Sequence, residues 1–169
     1  MNRSVILGTG AAVPKKVLSN KDLESIVETS DEWISTRTGI KHRHIAEDGE
    51  TTSTLATEAA RRALEMAGVK AEELDMIVVG TTSPDMIMPN TGALVQKNLG
   101  ASNASGFDVY AACSGFIYAL TIADKFVKES PEKKVLAIGA ELLSSITDWQ
   151  DRNTCVLFGD AAGAALVSG

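Results

Sequence analysis

The stretch Gly106-Phe107-Asp108-Val109-Tyr110-Ala111-Ala112-Cys113-Ser114-Gly115-Phe116 decides the fold, because it joins a strand to a helix through a corner of small residues. The part up to Tyr110 is typical of a buried strand, and Cys113–Lys128 has the apolar spacing of a helix. Backbone N–H groups and the helix dipole favour a thiolate in the first turn of a helix. Cys113 is therefore a candidate nucleophile, and the alternative is a buried cysteine that acts only as a small apolar side chain.

Strand-like and helix-like segments alternate around this stretch, which indicates an α/β fold with parallel strands. Met76–Val79 is apolar throughout, as in a strand covered on both faces of its sheet. The other predicted strands are Ser4–Leu7, Ile40–Ile45, Phe107–Tyr110 and Val135–Ile138. The other predicted helices are Asn20–Glu28, Ser30–Thr38, Thr52–Ala67 and a helix from the cap Asn90 to Leu99. Thr154–Phe158 and Ala161–Val167 are predicted to form a β-hairpin, with Cys155 as a structural residue in its first strand.

Composition and charge restrict the class of protein. The chain has 169 residues, of which 44% are hydrophobic, enough for one globular domain or a large half-domain. A net charge of −6 argues against a nucleic-acid-binding surface, and the apolar runs are too short to span a membrane. Two cysteines do not form a disulfide framework, and the sequence shows no signal peptide. We therefore expect a protein of the reducing cytoplasm.

Two short motifs have competing interpretations. Gly8-Thr9-Gly10 is similar to the start of a dinucleotide-binding fingerprint, but Val13 replaces the third glycine, which favours a tight turn after a core strand. His42 and His44 share one face of a predicted strand, a spacing that can bind a metal. Because the sequence offers no third ligand at a suitable spacing, a surface strand without a metal is the favoured interpretation.

Two Trp/Arg pairs point to a site for a flat molecule that carries phosphate. Helical spacing places Trp33 and Arg37 one turn apart, where an indole can stack on a ring and a guanidinium can bind phosphate. Arg152 lies beside Trp149 and repeats this combination. A nucleotide-bearing molecule such as coenzyme A would use both pairs. The alternative is a half-buried tryptophan with a surface arginine.

Three motifs follow one another in the chain: Thr29-Ser30-Asp31-Glu32-Trp33-Ile34 with Arg37-Thr38-Gly39-Ile40, then Asp108–Phe116, then Phe158-Gly159-Asp160-Ala161-Ala162-Gly163-Ala164. Together they resemble β-ketoacyl-acyl-carrier-protein synthase III, the initiating condensing enzyme of bacterial type II fatty acid synthesis. The resemblance implies the thiolase fold, in which two similar βαβαβαββ halves form a five-layer α-β-α-β-α sandwich. It runs through residues 1–169, which are expected to form one thiolase-like half-domain, the N-terminal half, with the C-terminal half absent from this chain.

The resemblance also implies roles for individual residues. Cys113 matches the nucleophile that takes an acetyl or branched acyl group from acyl-CoA, and its backbone N–H would help to form the oxyanion hole. Trp33 and Arg152 match residues that hold the CoA adenine between them. Thr29 and Arg37 match other CoA contacts.

Partners and substrates follow from the same resemblance. Met88 matches a residue that reaches across a homodimer to line the partner's acyl pocket. Acyl-CoA is expected as a substrate rather than as a permanently bound cofactor, and malonyl-acyl-carrier protein as the second substrate. The family's catalytic His and Asn belong to its C-terminal half, so this chain would hold the nucleophile and would need that half for condensation.

Two other functions stay open. HMG-CoA synthase and chalcone synthase, a polyketide synthase, are condensing enzymes with the same fold, although the Trp33/Arg37 motif favours synthase III. The alternative of a different class is a non-catalytic half that only pairs with a partner subunit. The presence of Cys113 in its tight turn argues against that alternative.

Overall fold

The computed structural model describes residues 3–169. Its strands are β1 (Val5–Ala12), β2 (Lys16–Ser19), β3 (His42–Ile45), β4 (Met76–Gly80), β5 (Ser105–Val109), β6 (Val135–Leu142) and β7 (Asp160–Ser168). Its helices are α1 (Asn20–Leu23), α2 (Asp31–Thr38), α3 (Thr52–Ala67), α4 (Thr91–Leu99), α5 (Gly115–Glu129) and α6 (Arg152–Cys155). Short 3₁₀ turns occupy Ala71–Glu73, Ala112–Ser114 and Leu143–Ser145.

Five of the strands form one mixed sheet in the order β1-β7-β6-β4-β5. β4 is parallel to β5 and β6, as the sequence predicts, whereas β7 is antiparallel to both β6 and β1. The sequence of core elements, β1-α3-β4-α4-β5-α5-β6-β7, is the predicted βαβαβαββ order. The β2–β3 hairpin, α1 and α2 are inserted between β1 and α3.

Helices cover both faces of the sheet, which explains the continuous apolar pattern of β4. Ile77 and Val79 pack into the cluster that contains the buried residues of α3 and α4. Val78 packs into the opposite cluster, with the buried residues of α5. Because successive side chains of a strand point to opposite faces, burial on both sides requires apolar residues at every position.

Gly8-Thr9-Gly10 does not form the predicted turn, because it lies inside β1. A Cβ atom on Gly10 would lie 2.1 Å from the carbonyl oxygen of Ala59, and one on Gly8 would lie 2.3 Å from that of Ala63. These glycines therefore allow the strand to lie directly against the alanine-rich face of α3. They do not form a phosphate-binding loop.

The predicted β-hairpin at 154–167 is wrong. Arg152–Cys155 is a helical turn, and the side chain of Asp151 caps it by accepting from the N–H of Asn153 at 2.9 Å. The residues from Asp160 onward form the single long strand β7. It pairs with β6 and β1 rather than with the segment 154–158 that the hairpin prediction gave as its partner. Cys155 is buried in α6 and not in a strand.

The inserted segment and the α6 region together form a small unit with its own apolar cluster, built on Leu23, Ile34, Cys155 and Val156. The predicted helix at 30–38 is confirmed, since the Ser30 side chain caps Asp31–Thr38 and Gly39 ends it at a φ of 73°. The predicted helix Asn20–Glu28 is shorter and ends at Leu23. None of the helices in residues 3–169 is long and apolar enough to cross a membrane.

Candidate active site

Cys113 lies in the 3₁₀ turn immediately before α5, so the α-helix begins two residues later than predicted. Ala112, which precedes it, has a φ of +46°, in the left-handed region. A residue with a Cβ atom is strained there by about 1–3 kcal/mol. No side chain caps the start of α5 at Ser114, beside the exposed cysteine, and the N–H groups of Ser114 and Gly115 donate to the carbonyls of Ala111 and Ala112 in the turn.

Close backbone packing fixes this turn on the sheet. A Cβ atom on Gly80, at the end of β4, would lie 2.3 Å from the carbonyl carbon of Gly115. One on Gly139, in β6, would lie 2.9 Å from the Cβ atom of Phe116. The start of α5 therefore rests on β4 and β6, two neighbouring parallel strands, near the carboxyl end where α/β sheets hold their ligands.

A cavity of about 260 Å³, which we call the Cys113 cavity, opens at this point. Its wall includes Phe116 and Glu141 and the small residues Gly159, Ala161 and Gly163. The third motif, from Phe158 to Ala164, thus faces the candidate nucleophile, and its small side chains leave room for a substrate. The sequence had not predicted that the two motifs meet.

Glu141 in the cavity wall is a residue that the sequence analysis missed. Its carboxylate accepts hydrogen bonds from the backbone N–H of Thr82 at 2.8 Å, from the Thr82 hydroxyl at 3.0 Å and from the Ser83 hydroxyl. The carboxylate is therefore occupied in holding the loop after β4 against the end of β6. An acidic residue directly after the apolar run of β6 is the only sequence signal for this role.

The guanidinium groups of Arg37 and Arg152 both stack on the indole ring of Trp33. We call these three residues the Trp33 platform. The Cζ atom of Arg37 lies 4.4 Å from the Trp33 ring centroid, which confirms that the two side chains meet across one helical turn. The Cζ atom of Arg152 lies 4.5 Å from the same centroid. Arg152 therefore stacks on Trp33 and not on its sequence neighbour Trp149, whose indole N–H donates to the carbonyl of Ser144.

The platform is anchored to the surrounding backbone. The guanidinium of Arg152 donates to the carbonyl of Glu28 at 3.3 Å, next to Thr29. The hydroxyl of Thr29 is buried and has no hydrogen-bond partner within residues 3–169. A buried hydroxyl without a partner is costly, so a ligand that formed a hydrogen bond with this oxygen would remove that cost. At the start of α2, hydrogen bonds from Asn20 and Ser35 lower the pKa of Asp31.

Met88 lies far out on the loop between β4 and α4, with 84% of its surface exposed. It does not line the Cys113 cavity of its own chain. In β3, Nδ1 of His44 lies 2.6 Å from the carbonyl oxygen of Pro14. Within the described part of the chain, no three His, Cys, Asp or Glu residues are grouped so that they could hold a metal ion.

Comparison with known proteins agrees with this geometry. The family model of 3-oxoacyl-[acyl-carrier-protein (ACP)] synthase III matches residues 107–169. The chain is 61% identical over 162 residues to the β-ketoacyl-[acyl-carrier-protein] synthase III of Caldanaerobacter subterraneus, covering 96% of this chain and 49% of that protein. It is 57% identical to the protein of the same name from Ehrlichia canis, with 99% and 53% covered.

Solved structures give the same result. The 3-oxoacyl-[acyl-carrier-protein] synthase III of Aquifex aeolicus superimposes with a TM-score of 0.95 at 56% identity, over 98% of this chain and 54% of that one. The priming β-ketosynthase of a polyketide biosynthetic pathway superimposes with a TM-score of 0.96 at 42% identity, over 99% and 50%. The chain spans about half the length of the curated relatives it matches. In sequence and fold it corresponds to the N-terminal half of the β-ketoacyl-[acyl-carrier-protein] synthase III proteins that it matches, with the thiolase fold.

Proposed function

We propose that this chain supplies the acyl-transfer half of an initiating condensing enzyme of type II fatty acid synthesis. The observation that carries the proposal is the placement of Cys113, exposed on a strained turn at an uncapped helix start and facing a cavity. In the proposed reaction the enzyme takes an acyl group from acyl-CoA and condenses it with malonyl-acyl-carrier protein. Acyl-CoA is a substrate here, and no permanently bound cofactor is needed.

The first step is acyl transfer to the cysteine. The Cys113 thiolate attacks the thioester carbonyl of acyl-CoA, and the negative charge moves to the carbonyl oxygen. Backbone N–H groups of the turn, that of Cys113 among them, stabilise this oxyanion. The C–S bond to coenzyme A then breaks, so the products are an acyl-Cys113 thioester and the thiolate of coenzyme A.

The Trp33 platform supports the assignment of the adenine site. In the proposed complex the adenine ring lies between Trp33 and Arg152, with further contacts from Arg37 and Thr29. The guanidinium of Arg152 now stacks on the Trp33 ring, where the adenine is proposed to lie. Binding therefore requires Arg152 to move outward, which its exposed position permits.

Condensation with malonyl-acyl-carrier protein is proposed to need groups outside this chain. The enolate formed on loss of CO₂ must be stabilised, and that role falls to the family's His and Asn in the C-terminal half. The chain alone is therefore expected to accept an acyl group without condensing it. The cytoplasm is the proposed location, since Cys113 and Cys155 are both unpaired.

A homodimer is part of the proposal. β5 lies at one edge of the sheet and pairs only with β4 among the described strands, so its outer edge can take a second copy. Ile87 and Met88 are exposed on the loop before α4, the helix that packs against β5. This placement supports a role for Met88 in the acyl pocket of the partner.

A second candidate is a priming ketosynthase of polyketide synthesis. The similarity to the polyketide-pathway enzyme, at a TM-score of 0.96, favours it over other condensing enzymes of this fold. Both candidates form an acyl-cysteine and differ in the carrier protein that accepts the product. Condensation assays with fatty acid and polyketide carrier proteins separate them.

Intact-mass analysis of the full-length enzyme after incubation with acetyl-CoA tests the proposal. One acetyl group is expected on the wild type and on Cys155→Ala, and none on Cys113→Ala. An unmodified wild type, or acetylation that survives in Cys113→Ala, would overturn the proposed function. An unmodified wild type is also the result expected if this chain is a non-catalytic half.

A further inference from the structure

Arg43 is a buried cation without a carboxylate partner. It lies in β3, only 5% of its surface is exposed, and no salt bridge within residues 3–169 includes it. Burial lowers its pKa, and its Nε atom has no hydrogen-bond partner in the described chain. An unpaired buried charge is a poor way to stabilise a core, and the hydrogen bonds of Arg43 point to a different role.

One hydrogen bond leads to the Trp33 platform. Nη2 of Arg43 donates to the side-chain oxygen of Asn20 at 2.9 Å. The amide nitrogen of Asn20 donates in turn to the carboxylate of Asp31 at 2.8 Å and to the carbonyl of Ile40 at 2.7 Å. These two acceptors lie at the first residue of α2 and just beyond its last. Both ends of the helix that carries Trp33 are therefore tied to Arg43 through one side chain.

A second hydrogen bond leads towards the wall of the Cys113 cavity, and a third, from Nη1 to the carbonyl of Leu18 at 3.2 Å, joins Arg43 to β2. Nη2 of Arg43 also donates to the carbonyl of Val156 at 3.1 Å, in the segment that runs into that wall. Three residues further on, Gly159 lines the cavity and rests on β3, since a Cβ atom there would lie 3.0 Å from that of Arg43. The guanidinium of Arg43 is therefore hydrogen-bonded both to Asn20, which holds α2, and to the segment that leads into the cavity wall.

We propose that Arg43 is a positioning residue that holds the Trp33 platform and the wall of the Cys113 cavity at a fixed separation. The inference rests on the proposed function, in which one acyl-CoA molecule contacts the platform with its adenine and Cys113 with its thioester. A ligand that spans two sites gains from both only when their separation matches its length. The affinity of a ligand that contacts only one of the two sites does not depend on that separation.

Arg43→Lys in the full-length enzyme tests the inference with three probes. Lysine keeps the charge, but it cannot donate to Asn20, Val156 and Leu18 in the same planar arrangement. We expect kcat/KM for acylation of Cys113 by acetyl-CoA to fall tenfold or more. Acylation by acetyl-pantetheine, which reaches only the cavity, and the affinity for adenosine 3′,5′-bisphosphate, which reaches only the platform, should stay within twofold.

Two further variants make the result decisive. Asn20→Ala removes the side chain that joins Arg43 to α2, so it should reproduce the selective loss with acetyl-CoA. If Arg43→Lys fails to fold, Asn20→Ala still tests the inference. Arg62→Lys is the matched control, because Arg62 is an exposed arginine of α3 that donates to the carbonyl of Ala11, and it should change none of the three values.

The outcomes separate the two proposals. Selective loss with acetyl-CoA supports the positioning role. Equal losses with all three probes mean general destabilisation and overturn the role, as does no loss with any. A wild-type enzyme that acetyl-CoA does not acylate at Cys113 overturns the proposed function, and the positioning role with it.

Discussion

Gly80 and Gly115 are in direct backbone contact, because a Cβ atom on Gly80 would lie 2.3 Å from the carbonyl carbon of Gly115. The contact joins the end of β4 to the first residue of α5, two residues after Cys113. The position of the candidate nucleophile over the sheet therefore depends on two residues that have no side chain. Neither glycine has a positive φ, so close approach and not backbone freedom requires them.

Gly80→Ala is expected to push the start of α5 away from the sheet. Overpacking of this kind lowers the free energy of unfolding by roughly 1–3 kcal/mol. Acylation of Cys113 should fall as well, since the turn moves with the helix. Urea denaturation with Gly163→Ala as the control measures the effect, because a Cβ atom on Gly163 would meet nothing within 4 Å. Equal destabilisation by the two substitutions would contradict the packing explanation.

Local sequence signals predicted the elements that local interactions determine. Ser30 and Gly39 are the ordinary cap residues of a helix, and they bound α2 as expected. The glycines of β1 misled the prediction, because a glycine in a turn and a glycine under a helix look the same in the sequence. Only the packing of α3 on β1 distinguishes the two.

The predicted hairpin failed for a related reason. Thr154 and Val156 favour a strand by their own propensity, but Asp151 caps a helical turn there and Cys155 is buried by the inserted unit. Local propensity gives way when tertiary contacts decide, as at Cys155. The pattern of β7 was apolar enough to show a buried strand, but the sequence did not show which strands would pair with it.

The sequence identified individual residues of the site but not their arrangement in space. Trp33 and Arg37 were found together because one helical turn joins them. Arg152 comes from a distant segment, so its position in the sequence suggested only its neighbour Trp149, and the family resemblance alone placed it with Trp33. Arg43 left a weak signal, since it alternates with His42 and His44 and must point to the opposite face of its strand. Its links to Asn20 and Val156 depend on the tertiary fold.

Iodoacetamide at neutral pH should label Cys113 well before Cys155. Cys113 is exposed, whereas Cys155 is buried and its burial raises its pKa, so it has less of the reactive thiolate at pH 7. Peptide mass spectrometry of the folded protein over time measures the two rates. In denaturant the difference should shrink as burial is lost. Faster labelling of Cys155 in the folded state would sink the nucleophile assignment.

Trp33→Ala or Arg152→Ala in the full-length enzyme should raise the KM for acyl-CoA. Stacking of one base on an aromatic ring contributes about 1–3 kcal/mol, or roughly 5- to 150-fold in affinity. A short pantetheine thioester, which lacks the adenine, should be less affected. Trp149→Phe is the control, because Trp149 stacks on neither arginine in the described chain. Equal losses with both substrates would show structural damage and remove the adenine assignment.

Asp75 is expected to contribute to stability in a pH-dependent manner. Its partial burial would raise its pKa, but hydrogen bonds from the Lys133 ammonium at 2.7 Å and the Lys134 N–H at 2.9 Å outweigh this and hold the pKa below its usual value. A lowered carboxylate pKa stabilises the fold above the unfolded-state pKa of about 3.9, and this stability is lost as the pH falls below that value.

Asp75→Asn should therefore reduce the free energy of unfolding at pH 7 and flatten its decline below about pH 4. Urea denaturation between pH 7 and pH 3 measures both effects. Asp48→Asn, at an exposed position in the loop before α3, is the matched control. An unchanged acid dependence in Asp75→Asn would show that this carboxylate does not contribute to it.

The outer face of α5 is expected to make the isolated 169-residue chain self-associate. The neighbouring residues Ile117 and Tyr118 are 61% and 55% exposed on this helix, and large exposed apolar patches are rare on soluble monomers. Sedimentation velocity over a concentration series should show dimers or larger species. Ile117→Glu should shift the distribution towards the monomer, whereas Ile146→Glu, at an equally exposed isoleucine in a loop, should not. If the chain stays monomeric, or if both substitutions act alike, this face of α5 does not drive association. In the proposed full-length enzyme the C-terminal half packs on this face, so co-expression with a C-terminal half that carries the His and Asn should suppress association and restore condensation.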